Sequence, residues 1–325
     1  MNYTQLRSHR RENHLQAFIL ICGMALVMSV AGYTLAGRAG VWFAITFSAI
    51  SALVSPALSP KFILQMYRAR PIDPREASEL YQVFGELVRR AELAHVPALY
   101  RVPAGMLNAF AVGADRNAAV GITDGLLRTM SPRELAGILA HELSHLRFGD
   151  THLMALGDVF SRLTATMSRV GQLLLILFLP AALMGTPFIS LAGLLVLIFA
   201  PLANMLLQLA LSRSREFNAD LGAVELTGDP AGMASALEKL ERSQWGSWWQ
   251  RIFLPYRAMQ PNVLRTHPVT EERIRRLRQL ATNAAASDHH VPPVEFSLAG
   301  APTATAMGPE ILRRIGAGLY RRLAG

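Results

Sequence analysis

Residues 170–212, VGQLLLILFLPAALMGTPFISLAGLLVLIFAPLANMLLQLALS, contain no charged side chain, and the reading of this run decides the fold. A helix rises ~1.5 Å per residue, so ~20 residues cover a ~30 Å hydrocarbon layer and the run is long enough for two passes. Pro180 and the turn Gly185-Thr186-Pro187 divide it, with Pro180 either kinking the first pass or making the hairpin re-entrant. Arg162 and Arg169 precede the run and Arg213 and Arg215 follow it, which places both ends on the cytoplasmic side by the positive-inside bias. The alternative, a core hairpin of a soluble protein, would have to bury roughly forty consecutive uncharged residues.

A second uncharged pair lies toward the N-terminus, at 15–37 and 41–60, with Arg38 between them. Arg7, Arg10 and Arg11 come before it and Lys61, Arg68 and Arg70 after it, so both of its ends are again cytoplasmic. A cleaved signal peptide fits less well, because no small-x-small site is evident and a second span follows at once. Composition agrees with membrane insertion: 51% of residues are hydrophobic and 17% charged. The net charge of +9 therefore reads as topology and not as nucleic-acid binding. A single cysteine, Cys22, excludes a disulfide framework and a Cys-based zinc ribbon, leaving His and carboxylates as metal ligands.

The two soluble parts flank the 170–212 run. Upstream, SPRELAGILAHELSHLRFGD (131–150) reads as one helix with Ser131 as N-cap, Pro132 in the first turn, Glu134 closing a capping box and Gly149 as the stop. His141 and His145 are one turn apart and can reach a single zinc ion, while Glu142 can serve as general base toward a water activated there. Downstream, Glu216 and Asp220 in RSREFNAD (213–220) also share a helical face. One carboxylate, Glu216, is expected on zinc, and the other, Asp220, on the free ring N–H of a ligand histidine. Without the H-E-x-x-H pattern these two acids would read as a solvated face paired with Arg213 and Arg215. Three ligands meeting at one metal require an even number of crossings between His145 and Glu216, in agreement with the charge reading.

From about residue 13 to 283 the chain resembles the HtpX-type membrane metallopeptidases, relatives of the CAAX prenyl endopeptidase. The resemblance is carried by Asn108-Ala109-Phe110, GITDGLL (121–127), HELSH (141–145), REFNAD (215–220) and THPVTEER (266–273). It implies a gluzincin-like peptidase of the bacterial inner membrane, with a cytoplasmic active site acting on damaged or misassembled membrane proteins in quality control and stress response. It further implies one Zn2+ per chain on His141, His145 and Glu216, with Glu142 catalytic. His267 and Arg273, six residues apart, would lie near bound substrate and donate to the oxygen of the attacked carbonyl. On residue chemistry alone, His267 ends a loop and Arg273 pairs with a nearby Glu.

The expected fold is mainly α within an α+β class: four membrane-spanning helices in two hairpins and a gluzincin-like cytoplasmic domain with a small β-hairpin or sheet. Its boundaries are 1–60 for the tail and first hairpin, 61–169 for the first part of the catalytic domain and 170–212 for the second hairpin. The second catalytic part is 213–283, followed by a linker at 284–308 and a helix at 309–325. LNAFAVG and AAVGIT, separated by Ala114-Asp115-Arg116-Asn117, read as a β-hairpin. Its edge could hold an extended substrate at Asn108, Ala109 and Phe110, or Asn108 is simply a turn residue at a strand entry. His289 and His290 in the linker read as solvated. The last helix sets Ile311, Leu312, Ile315, Leu319 and Leu323 against Arg313, Arg314, Arg321 and Arg322, fit to lie on anionic lipid or to dock on the protease.

Partners on this reading are polypeptides and the lipid bilayer, not nucleic acid; the oligomeric state is not legible. A membrane adaptor or holdase keeping a structural zinc site is the competing class, which Glu142 disfavours because a structural site has no use for an acid/base. An intramembrane protease is disfavoured by Arg133, Glu134, Glu142 and Arg147 on the metal-binding helix.

Overall fold

The computed structural model describes residues 3–54, 60–75, 77–177, 190–245 and 271–286, with positions 180 and 184. The Gly185-Thr186-Pro187 turn, His267, the linker from residue 287 and the basic helix at 309–325 lie outside the described residues. The chain forms two compact units: Thr4–Ala57 with Asp150–Arg215, and Leu58–Gly149 with Glu216–Gly325 and the first residues.

In the first of these, helix α1 (Tyr3–Val54) loses helical dihedrals at Ala36 and Gly37, where φ is −141° and 59°. The break folds it into two antiparallel arms, since the Ser48 hydroxyl reaches the Met28 sulfur at 3.3 Å. At the closed end the backbones of Gly32 and Gly40 approach so nearly that a Cβ on either would strike the other's carbonyl. Over its described residues, the apolar pair expected at 15–37 and 41–60 is thus a hairpin that turns at Ala36–Gly37, just before Arg38. Helices α6 (Asp150–Leu177) and α7 (Leu191–Thr227) also run antiparallel, pinned by the Asn204 amide donating to Thr164 Oγ1 at 2.6 Å. Met24, Met28, Ala44, Phe160 and Met167 form the shared interior. The outside is apolar: Phe18, Leu26, Trp42, Leu173 and Leu206 are all exposed.

Two segments, Leu15–Ile50 and Ala192–Thr227, are long and apolar enough to cross a membrane. Helix α6, of 28 residues, carries Asp150, Asp158, Arg162 and Arg169. This compact unit takes in the chain from Asp150, with Phe160 and Met167 packed with Met24 and Met28.

The other unit contains a four-stranded mixed sheet in the order β1-β2-β4-β3. Its strands are β1 (Arg70–Pro71), β2 (Ala98–Val102), β3 (Ala109–Val112) and β4 (Ala119–Thr123). β2 and β4 are parallel; β3 and β4 form the expected antiparallel hairpin, with Ala109 opposite Ile122, and β3 is an edge. Side chains alternate across the sheet as the two-residue strand period requires. Ala109, Val120 and Ile122 enter the main core, whereas Phe110, Val112 and Ala119 face a smaller core under α2 (Pro60–Met66).

The main core joins that sheet face to α3 (Ser78–Arg90), α4 (Asp124–Thr129), α5 (Pro132–Phe148), the end of α7, α8 (Pro230–Trp245) and α9 (Glu271–Ala286). Helix α5 is buried continuously from Glu134 to His145. Its ends are those the sequence specifies: the Ser131–Glu134 capping box is complete, Pro132 opens the first turn and Gly149 adopts the left-handed conformation, with φ of 66°.

Candidate metal centre

Helix α5 presents His141 and His145 on one face, their Nε2 atoms 3.2 Å apart. Helix α7 brings Glu216 to them, its Oε2 3.4 Å from His141 Nε2 and its Oε1 3.8 Å from His145 Nε2. A tetrahedral ion with ligand bonds of ~2.0–2.1 Å sets donors ~3.3 Å apart, so these spacings fit a zinc-sized ion. All three residues are buried, and two imidazole nitrogens facing each other beside a carboxylate form a donor set that a cation completes.

What lets α7 approach so closely is Gly222, where a Cβ would collide with Ser144, the residue beside His145. This glycine, two residues past Asp220, went unread in the sequence; a glycine inside a helical pattern was its only local signal. Asp220 Oδ1 lies 3.0 Å from His141 Nδ1 and so occupies the position expected of an orienting carboxylate.

Arg273, on α9, ties the carboxylates together. Its Nε and Nη2 donate to Asp220 at 2.7 and 2.6 Å, and its Nη1 lies 2.8 Å from Glu216 Oε2. The side chain is 1% exposed, among the most completely buried in the chain. Burial alone would raise the Asp220 carboxyl pKa, but Arg273 and then His141 outweigh it and hold it below the usual range. Asp220 therefore stays anionic.

Glu142 is 2% exposed, and its Oε2 accepts a hydrogen bond from the Ala111 N–H at 3.0 Å. The candidate base is thereby tied to the edge strand β3, a link the sequence did not reveal. Asn108 sits where β3 begins: its N–H donates to Thr123 Oγ1 and its carbonyl accepts from the Thr123 N–H, each at 3.0 Å. By strand alternation the outward backbone groups of β3 belong to Ala109 and Ala111, while Phe110 hydrogen-bonds inward toward β4. A cavity of about 30 Å³ opens beside His141 and Glu142, lined also by Asn108, Ala109, Met233 and Arg273. The structure therefore brings together His141, Glu142, His145, Glu216, Asp220, Arg273, Asn108 and Ala109. It turns Phe110 to the far side of the sheet, against Tyr67.

Two imidazoles and a carboxylate around one point, with the further carboxylate of Glu142 beside them, fit a metal-dependent hydrolase. The chain belongs to peptidase family M48, whose pattern matches residues 74–281. Similar proteins include protease HtpX homologs of Burkholderia ambifaria, 35% identical over 285 residues, and of Ralstonia pickettii, 35% identical over 292. Each alignment covers 83% of this chain and 97% of the relative. The protease HtpX homolog of Methylibium petroleiphilum is 34% identical over 281 residues, with 82% and 96% covered. The protein is a membrane-bound metalloendopeptidase of this family.

Proposed function

We propose that the metal is zinc, one per chain, held by His141, His145 and Glu216, and that the enzyme hydrolyses peptide bonds in damaged or misassembled proteins of the bacterial inner membrane. The observation that carries this reading is the convergence of those three donors within 4.8 Å of one another, with Glu142 beside them. Zinc at that point would supply Lewis acidity toward a water and a peptide carbonyl.

The chain's own residues do the rest. Glu142 takes the proton from the attacking water and passes it to the departing amine. Asp220 keeps the His141 ring turned to the ion, and Arg273 holds Asp220 and Glu216 at fixed spacing. Arg273 thus acts through the carboxylates, and by the resemblance to the HtpX-type peptidases His267 is the residue that would donate to the carbonyl oxygen. An extended substrate adds to β3 through the outward groups of Ala109 and the Ala111 carbonyl, with Asn108 fixing where that pairing begins.

We read four crossings in two hairpins, with the N-terminus and the metal centre in the cytoplasm. Supporting this, His145 precedes the second hairpin and Glu216 follows it, yet both reach one point, which requires an even number of crossings.

The test is Glu142→Gln in detergent-purified protein, followed by metal analysis and a casein-type cleavage assay. Zinc stays bound while cleavage falls roughly 10²–10⁴-fold, because a base is lost and no ligand. Zinc lost together with activity would show that the role of Glu142 is misassigned. For topology, a reporter that fluoresces only in the cytoplasm is bright when fused after Lys61, Arg169 or Arg215 and dark when inserted near Gly40 or Thr186. Darkness at Arg215 alone would break the four-crossing reading.

A further inference from the structure

Phe62 and Met66 are one turn apart on the face of α2 opposite Leu64, and both are exposed. They cannot turn inward. Leu64 is locked in the small core with Val102, Phe110 and Val112, and the Tyr67 ring packs against Phe110 at 5.8 Å between centroids. Three exposed cations border the pair: Lys61 on α2, and Arg68 and Arg70 just beyond it. Among the described residues none of the three has an acidic partner.

The turn that ends α2 is a second sign. The Arg68 N–H donates to the Gln65 carbonyl and the Ala69 N–H to the Leu64 carbonyl, each at 2.9 Å, the Schellman pattern that ordinarily places glycine where Arg68 stands. Arg68 adopts φ of 51°, so a cation is kept at a position where glycine would relieve strain. Position along the chain is a third: α2 begins at Pro60, six positions after the apolar helix α1 ends at Val54.

We propose that the outer face of α2 is a docking surface for the membrane's own interface. Phe62 and Met66 enter the boundary between headgroups and acyl chains, and Lys61, Arg68 and Arg70 pair with anionic lipid phosphates. A second copy of the chain fits poorly, because a twofold contact would set the same unpaired cations against themselves. Since β3 belongs to the sheet on which α2 is packed, this docking holds the substrate-binding edge beside the bilayer that contains the substrates. The inference rests on the membrane-bound state and not on the roles given to the metal centre.

The experiment uses the full chain in phosphatidylethanolamine and phosphatidylglycerol vesicles, with exposed Cys22 replaced by serine. Nitroxide labels go on Phe62→Cys, Met66→Cys and, as a control on α3, Arg89→Cys. Power saturation is expected to show labels 62 and 66 more accessible to oxygen than to a water-soluble nickel chelate, and label 89 the reverse. Exchanging phosphatidylglycerol for phosphatidylcholine, or combining Lys61→Glu with Arg68→Glu, shifts label 62 toward the nickel chelate. Nickel accessibility at 62 and 66 equal to that at 89 overturns the proposal, as does a short spin–spin distance between chains, which would assign the face to a second copy. Insensitivity to both charge manipulations overturns the phosphate pairing.

Discussion

The two units bury polar groups in opposite ways. In the metal-bearing unit the buried interior holds Glu134, Glu142, Glu216, Asp220 and Arg273, each bound to an opposite charge, a hydroxyl or backbone. In the helical unit the buried polar groups are mostly small and neutral: Ser48, Thr164, Ser168, Asn204 and Ser214. Its exceptions, Asp150 and Arg215, pair with each other at 3.1 Å and are the residues at which the chain passes between units. The surroundings account for the contrast. A unit with an apolar outside can do no more than satisfy its polar groups internally, so it keeps few charges. The other unit builds a low-dielectric pocket in which opposed charges hold chemical groups at fixed spacing.

The comparison breaks most readily at Arg273. Removing it leaves two carboxylates packed together, so Arg273→Ala is expected to cost about 3–5 kcal/mol of stability and to weaken metal binding roughly 10–100-fold. Thermal unfolding and competitive metal titration measure both, and unchanged metal affinity would reduce the Arg273 clamp to ordinary packing. A smaller effect is expected in the helical unit. Asn204→Leu removes one interhelical hydrogen bond in apolar surroundings and is expected to cost about 0.6–2 kcal/mol by thermal melting in detergent. A loss as large as that at Arg273 would mean that the two interiors work alike.

The smallest effect is at Glu134. Burial would raise its carboxyl pKa, but Lys239, Ser235 and Ser131 outweigh that and hold it below its ordinary value. Its stabilisation is therefore complete above the unfolded carboxyl's pKa, near 4.3, and is lost as pH falls through the lower folded value. Glu134→Gln should lower the melting point at pH 7 by the equivalent of about 1 kcal/mol and flatten its decline between pH 5 and 3. An unaltered acid profile would show that the cap does not depend on the charge.

The features legible in the sequence are the local ones. The α5 boundaries follow from Ser131, Pro132, Glu134 and Gly149, and the two histidines share a face by helical spacing alone. The β3–β4 hairpin follows from alternation and its turn residues. Contacts between distant segments leave no such trace. Nothing in the periodicity of REFNAD announces that its helix continues unbroken from the apolar run, nor that Gly222 sets how near that helix comes to Ser144. The Ala111–Glu142 hydrogen bond is made by a backbone N–H, which no residue type specifies. Arg273 was singled out by resemblance, but its partners became evident only once α9 was placed beside α7.

The order of the ligands along the chain also bears on how the enzyme is made. His141 and His145 are on the strand-side helix α5, whereas Glu216 comes only after α6 and the apolar part of α7. At ~5–20 residues per second, the roughly 70 residues between His145 and Glu216 take several seconds to synthesise. A nascent chain that has released α5 alone has two of the three donors, and neither Asp220 nor Arg273 to orient them. On the proposed ligand set, the metal centre cannot be completed until the roughly 70 residues between His145 and Glu216 have been made.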